Sequence, residues 1–198
     1  MRLYSYYAVR HFSNCYVLGP TQRGDAVLVD PGVFDEGLLR LLEGRGLAPR
    51  HVLLTHSDHG HIDGIRTLRK IYDTTIYCCD PARLDFPATA VRSGQTLRCG
   101  ELDFEVLETP GHSDDSLCFR QDRILFTGDT LSAGSVGRTD SPYFHALLVA
   151  SIRRRLLPLP GDLLVLPGHG PPSTLGAEKA FNPYLAPAAA NGGNAPAA

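Results

Sequence analysis

Short apolar runs alternate with amphipathic segments along the chain up to about Leu185. Leucines recur at a helical spacing within residues 36–45, and the segment stops at Gly46, so we predict a helix there. Runs rich in β-branched and aromatic residues, bounded by turn residues, predict strands. The predicted strands cover residues 3–9, 15–18, 26–30, 51–55, 75–79, 102–108, 117–120, 124–126 and 163–166, and two further helices cover about 62–72 and 144–156. This order predicts a mixed, layered α/β domain.

The composition changes sharply after Leu185. Residues 186–198 consist of Ala, Pro, Asn and Gly, without one large apolar side chain. Burial of such a segment could not offset the entropy lost on ordering it. We therefore expect one folded domain over residues 1–185 and a disordered tail over residues 186–198.

The charge balance and the length of the apolar runs argue against several classes of partner. The 198 residues include 19 Lys and Arg against 21 Asp and Glu, a net charge of −2, so we expect no nucleic-acid partner. The longest apolar runs, near residues 124–126 and 163–166, are far shorter than the ~20 residues of a membrane span. Because the first residues lack a signal-peptide pattern, we expect a cytoplasmic protein with no membrane partner.

Cysteine usage is typical of a reducing compartment. The five cysteines are odd in number and form no Cys-x-x-Cys pair. We expect all five to be buried, reduced thiols, including the adjacent Cys78 and Cys79, because cysteine often serves as a small core residue.

Most of the histidines follow apolar runs. Three of the eight lie between Thr55 and Gly64, two others each follow a Pro-Gly pair, and a carboxylate follows Thr-Gly in the same way. Ligand sites of open sheets lie beyond strand ends, where glycine permits a sharp turn. Imidazole and carboxylate groups suit Zn²⁺, Fe or Mn²⁺. The pattern therefore predicts one metal centre at the strand ends, with the candidates His56, His59, His61, His112, Asp129 and His169.

Five short motifs resemble those of the metallo-β-lactamase superfamily. They are Asn14-Cys15-Tyr16, Asp30-Pro31-Gly32, Thr-Pro-Gly-His at 109–112, Phe-Thr-Gly-Asp-Thr at 126–130 and Pro-Gly-His-Gly at 167–170. The stretch at 134–140 is most similar to the glyoxalase II-like branch. The resemblance implies a four-layer αββα sandwich of the α/β class, with the metal site at one edge of both sheets.

The histidine motif departs from the family pattern Thr-His-x-His-x-Asp-His. Aligned without gaps from Thr55, it places Asp58 at the second His, Gly60 at the Asp and His61 at the third His. A reading shifted by three residues recovers the first part of the pattern, but it puts Gly64 at the last His and separates the motif from the strand end. We prefer the gapless reading, because it also keeps Gly64 where the family's helix needs it.

The resemblance then implies ligands for one or two divalent metal ions, Zn²⁺ first, with Fe or Mn²⁺ as alternatives. They are His56, Asp58, His112 and Asp129 for one ion, and His61, His169 and the bridging Asp129 for the other. His59 could replace the carboxylate missing at Gly60, or it could face solvent. Asp30 is expected to fix a turn through its own side chain, and Asp63 to lie near a helix start.

The activity that the resemblance implies is metal-dependent hydrolysis of a small-molecule thioester, as in hydroxyacylglutathione hydrolases. A metal-bound hydroxide, oriented by Asp129, would attack the carbonyl carbon, and the metal would stabilise the oxyanion. Two alternatives stay open. His56, His112 and Asp129 would also form a two-His-one-carboxylate site for a mononuclear Fe(II) persulfide dioxygenase-like oxidoreductase. The altered ligand positions would equally suit a metal-binding domain without turnover.

Overall fold

The structure, a computed structural model, describes residues 1–185; the predicted tail at 186–198 lies outside the described residues. Strands β1 to β6 form one six-stranded sheet in chain order, and they are Arg2–Ala8, Ser13–Gly19, Gly24–Val29, Leu47–Leu53, Thr75–Cys78 and Thr89–Ala90. A second six-stranded sheet consists of β7 Thr96–Cys99, β8 Leu102–Glu108, β9 Leu117–Gln121, β10 Ile124–Gly128, β13 Leu164–Pro167 and β14 Ser173–Thr174. Its spatial order is β14-β13-β10-β9-β8-β7. Between β10 and β13, β11 Leu131–Ser132 and β12 Ser135–Val136 pair as a small hairpin.

The α-helices of the described part of the chain are α1 Glu36–Arg45, α2 His59–Ile62, α3 Ile65–Leu68, α4 Pro142–Arg155 and α5 Leu175–Phe181. Helix α1 begins where the Asp35 side chain accepts a hydrogen bond from the Leu38 backbone N–H, and it ends at Gly46 in the left-handed region. Helix α4 begins with Ser141 as the cap and Pro142 in the first turn. The helices predicted at 36–45 and 144–156 are therefore confirmed.

Three layers of buried side chains separate four layers of secondary structure. Alternate residues of one strand serve different layers: in β2, Val17 packs towards α1 and α3, whereas Leu18 packs between the two sheets. In β13, Leu166 belongs to the layer between the sheets, and Val165 to the layer that includes Leu148 of α4. This period-2 division of apolar side chains is what a sheet covered on both faces requires. The predicted αββα sandwich is confirmed.

One predicted helix is wrong. Residues 62–72 were expected to form one continuous helix, but the chain forms the two short helices α2 and α3 on either side of Gly64. The hydrogen bond that would join them, from the Gly64 N–H to the Gly60 carbonyl, is replaced by two others. The Gly64 N–H donates to the Pro31 carbonyl at 3.0 Å, and the Gly60 carbonyl accepts from the Ser13 hydroxyl at 2.7 Å.

The predicted strands are all present, but β4 begins at Leu47, before the predicted start at residue 51, because its first residues already pair in parallel with β3. Four of the five cysteines are buried free thiols, as expected, whereas Cys79 is only half-buried. Burial raises the pKa of Cys78 and of Cys99 to about 12, so these thiols stay protonated.

In the described residues, no helix combines the length and the apolar character needed to cross a membrane.

Candidate metal centre

Four strands end at one edge of the sandwich, and each leads to a candidate ligand. β4 ends three residues before His56, and β10 ends directly before Asp129. β8 and β13 lead into the Pro-Gly turns that carry His112 and His169. The backbone of Gly128, at the end of β10, has a φ of 48°, and a Cβ there would overlap the Thr55 side chain. The turns that the sequence pattern predicts are therefore present at this edge.

The first group of converging side chains comprises His56, Asp58 and His112. One ligand atom from each lies within 4.8 Å of the other two. The Asp58 Oδ2 lies 3.6 Å from the His56 Nε2 and 3.5 Å from the His112 Nε2. The His56 side chain is fully buried, whereas that of Asp58 is 59% exposed, so this group opens to solvent on the carboxylate side.

The second group comprises His56, His61 and Asp129, again within 4.8 Å of one another. The Asp129 Oδ1 lies 3.6 Å from the His61 Nε2, and its Oδ2 lies 3.7 Å from the His112 Nε2. Asp129 thus reaches both groups, as a bridging carboxylate would. The His169 Nδ1 lies 2.8 Å from the Asp129 Oδ1, beside the second group.

His59 does not join either group. Its side chain is 87% exposed, and its Nδ1 lies 3.0 Å from the Asp63 Oδ1. Asp63 closes the short helix α2 rather than starting a long one. Of the candidate ligands, the structure therefore brings six side chains to one edge and leaves His59 outside.

The ring nitrogens of the site fit a metal ion. The Nε2 atoms of His56, His61 and His112 are buried and have no hydrogen-bond partner in the structure. A buried polar atom without a partner costs free energy unless a ligand satisfies it. Three such imidazoles with two carboxylates are a donor set suited to Zn²⁺, Fe or Mn²⁺.

The other ring nitrogen of each buried histidine is held by the protein. The Asp30 carboxylate accepts from the Thr55 backbone N–H at 2.8 Å and from the Thr55 hydroxyl at 2.6 Å, and its Oδ2 also lies 3.0 Å from the His61 Nδ1. The His112 Nδ1 lies 2.7 Å from the Arg138 carbonyl. Such contacts fix the tautomer and the orientation of a ligand histidine. The expectation that Asp30 only fixes its own turn is wrong, because its carboxylate connects β4 to His61.

The carboxylates of the site are held in the ionised form. Contact with His112, and then with His56, lowers the pKa of Asp58 well below its usual range. Burial alone would raise the pKa of Asp129, but contacts with His169 and His61 outweigh it and hold that pKa low. For His61, burial would lower the pKa, but Asp30 and Asp129 outweigh it and raise the pKa to about 10. A metal ion entering the site must therefore displace a proton from His61.

The packing around Gly64 favours one of the two readings of the histidine motif. A Cβ at this position would lie inside van der Waals contact with the Pro31 carbonyl and with the backbone of Val33 and Phe34. The shifted reading needs a histidine at this position, for which the backbone leaves no room. The gapless reading, with Asp58 and His61 as candidate ligands, is the one that the packing supports.

We expect Gly64→Ala to destabilise the fold by about 2 kcal/mol, because overpacking against fixed backbone cannot relax. Gly44→Ala is the matched control: it lies in α1, nothing lies within 4 Å of its Cβ position, and removing a helical glycine should stabilise slightly. Denaturant unfolding of both variants checks the prediction. Equal stability of the Gly64 variant and the parent would mean that position 64 could accept a side chain after all.

A cavity of about 420 Å³ adjoins the first group. Its lining includes His112, Phe144, two arginines, Arg83 and Arg138, and three aspartates, Asp58, Asp114 and Asp140. Arg83 is paired with Asp114 at 3.1 Å. Within residues 1–185, no carboxylate lies within salt-bridge distance of the Arg138 guanidinium, so it is free to meet an anionic group in the cavity.

Comparison with known proteins agrees with the fold and the strand-end motifs. The sequence profile of the Metallo-beta-lactamase superfamily matches residues 8–169. The chain belongs to this superfamily. Among its relatives within the metallo-β-lactamase superfamily, the hydroxyacylglutathione hydrolase GloC of Haemophilus influenzae is 30% identical over 196 residues, which cover 87% of this chain and 92% of GloC.

Solved structures of the superfamily match nearly the whole described chain. The B3 metallo-β-lactamase BLEG-1 is 33% identical with a TM-score of 0.85, and the match covers 94% of this chain and 100% of that one. ETHE1 from Myxococcus xanthus is 32% identical with a TM-score of 0.85, over 94% of this chain and 85% of that one. TTHA1623, crystallised in a di-iron-bound form, is 33% identical with a TM-score of 0.75, and the match covers 87% of this chain and 95% of TTHA1623. Relatives of this family include hydrolases.

Proposed function

We propose that the protein is a metal-dependent hydrolase that cleaves a thioester into a carboxylic acid and a thiol, as a hydroxyacylglutathione hydrolase does. The observation that carries the proposal is the set of three buried imidazole nitrogens without protein partners, which face two ionised carboxylates beside an open cavity. A bound metal ion would supply a Lewis acid and an activated water for hydrolysis. The similarity to GloC over almost its full length supports this class of substrate.

The residues of the chain have distinct roles in this proposal. His56, Asp58 and His112 would hold one ion, and Asp129, which lies near His112 and His61, would contribute a carboxylate shared with the neighbouring group. His169, which lies beside the second group in contact with Asp129, would be a further ligand there. Because its pKa is held low, Asp129 stays ionised at neutral pH and can orient a water molecule by accepting a hydrogen bond from it.

Arg138 gives the cavity beside the first group one cation that could bind an acidic thiol component. The free guanidinium of Arg138 would pair with a carboxylate of the substrate in the same cavity that His112 and Asp58 line. Glutathione is a thiol with such carboxylates. We take Zn²⁺ as the first choice of ion, with Fe as the main alternative because the related TTHA1623 binds two irons. We also place the protein in the cytoplasm, where its free thiols remain reduced.

The direct test is an anaerobic assay of metal-loaded protein on a panel of glutathione and coenzyme A thioesters, with the released thiol measured by a chromogenic reagent. We expect thiol release without any need for oxygen, and faster release from thioesters that carry a carboxylate on the thiol side. A chromogenic β-lactam belongs in the panel, because BLEG-1 is named as a β-lactamase. Turnover of the β-lactam alone would overturn the thioester proposal.

A second candidate function rests on the glycine at position 60. With a carboxylate missing there, one ion held by His56, His112 and Asp129 would suffice for Fe(II)-dependent oxygen chemistry on a persulfide. Oxygen uptake with glutathione persulfide, measured beside the thioester panel, separates the two. Uptake that is lost in His112→Ala, together with no thioester hydrolysis, would establish the dioxygenase. Failure of both assays in metal-loaded protein would favour a binding domain.

A further inference from the structure

The second group of ligands has a gap at Gly60. This is the position at which the superfamily pattern has a carboxylate, and the chain has no side chain there. There is room for one: the nearest atom to a Cβ on Gly60 is the Cβ of His11, at 3.6 Å. The space that a ligand would fill at position 60 is therefore bordered by a histidine from a distant part of the sequence.

His11 lies in the turn between β1 and β2, which is tied to this part of the site. Its backbone N–H donates to the Ala8 carbonyl at 3.1 Å, and two residues further on the Ser13 hydroxyl donates to the Gly60 carbonyl at 2.7 Å. The His11 side chain is only 19% exposed. The turn thus holds a mostly buried imidazole beside the gap.

Like the candidate ligand nitrogens of the site, the His11 Nε2 is buried and has no hydrogen-bond partner. In residues 1–185, the buried side-chain nitrogens without a hydrogen-bond partner are the Nε2 atoms of His11, His56, His61 and His112. Three of these belong to the two groups described above, and the fourth borders the gap. The Asp63 Oδ2 lies 3.1 Å from the His11 Nε2, but the geometry is not that of a hydrogen bond. An unsatisfied buried imidazole of this kind points to a ligand.

We propose that His11 supplies the second metal ion with the ligand that Gly60 lacks. In the present structure His11 stands outside the two groups whose ligand atoms lie within 4.8 Å of one another, so the side chain must turn from Asp63 towards His61 when an ion binds. The Nε2 of a histidine lies further from its Cβ than the carboxylate oxygens of an aspartate lie from theirs. This greater reach compensates for the position of the His11 Cβ, 3.6 Å from the Cβ position at residue 60. The inference rests on the metal centre of the proposed function, not on its substrate.

The test compares four proteins in calorimetric titrations with Zn²⁺: the parent, His11→Ala, His59→Ala and His11→Ala combined with Gly60→Asp. His59 is the matched control, since it also contacts Asp63 but is exposed. Loss of a group that only orients a ligand costs about 10–100-fold in affinity. We therefore expect His11→Ala to weaken the second ion by more than about 100-fold and to leave the first unchanged. His59→Ala should leave both ions unchanged, and Gly60→Asp should restore the second ion.

A readout on the parent protein guards against a variant that fails to fold. With ¹⁵N-labelled histidine, the ring nitrogens of His11 should shift only on addition of the second equivalent of Zn²⁺, and this holds whether or not any substrate is turned over. Binding of only one ion by the parent, or equal second-ion affinity in the parent and His11→Ala, would overturn the proposal. Thioester hydrolysis by a one-ion protein would leave the proposed function standing while this inference failed.

Discussion

Asp129→Asn should lose at least about 100-fold in kcat/KM for thioester hydrolysis and about tenfold or more in metal affinity. The Asp129 carboxylate lies within 4 Å of a ring nitrogen of four histidines, namely His56, His61, His112 and His169. Asparagine keeps the shape of the side chain but removes the negative charge that both groups share. It would also replace one of the two acceptor oxygens with an NH₂ donor and weaken the other as an acceptor for the water, so binding and catalysis should fall together.

The measurement pairs metal content after dialysis with steady-state kinetics in metal-saturated buffer. Asp162→Asn is the matched control, because Asp162 is an exposed carboxylate whose Oδ2 lies 2.7 Å from the Arg123 guanidinium, away from the site. An exposed ion pair contributes little to stability, so this variant should match the parent in both measurements. An Asp129→Asn protein that keeps its metal and its activity would show that Asp129 is not the bridging group.

The sequence was sufficient to predict which candidate side chains converge at the strand ends, because the signal is local. At each of the four strand ends, an apolar run precedes a glycine-containing turn or a short polar step, and the ligand follows within a few residues. The motifs Pro-Gly-His and Thr-Gly-Asp can therefore be recognised as candidate ligand turns without knowing which strand pairs with which. The four-layer fold followed from the resemblance, and the alternation in β2 and β13 shows the physical basis for it.

The residues that support the site could not be predicted in the same way, because their partners are distant in sequence. Asp30 acts on residues 25 and 31 positions away, and His11 borders Gly60 across two different turns. Neither residue has a local pattern that indicates its partner. The break between α2 and α3 has the same origin: the hydrogen bonds that replace the helical one come from Pro31 and Ser13, which only the folded chain brings near.

Asp30→Asn should weaken metal binding by about 10–100-fold and destabilise the fold by about 3 kcal/mol. The Oδ2 of Asp30 accepts from the Thr55 hydroxyl and contacts the His61 Nδ1, while its Oδ1 accepts from the Thr55 N–H. An amide offers one acceptor oxygen, so at least one buried donor would face an NH₂ group and lose its partner, at about 1–3 kcal/mol for each such group. Without its acceptor, His61 can move its proton to Nε2, where it blocks a metal ion.

The Asp30→Asn substitution adds no backbone strain. Residue 30 has a φ of 52°, and asparagine tolerates this left-handed region at least as well as aspartate does. Asp35→Asn gives the matched control: Asp35 caps α1, with its Oδ1 3.0 Å from the Leu38 nitrogen, and touches no ligand. It should cost about 1 kcal/mol or less and leave metal affinity unchanged. Thermal unfolding in the presence of a chelator measures the change in stability of the metal-free fold, and Zn²⁺ titration measures the change in metal affinity. If Asp30→Asn lost about 3 kcal/mol of stability but bound Zn²⁺ like the parent, Asp30 would support only the fold, and the tautomer of His61 would have to be fixed by the metal itself.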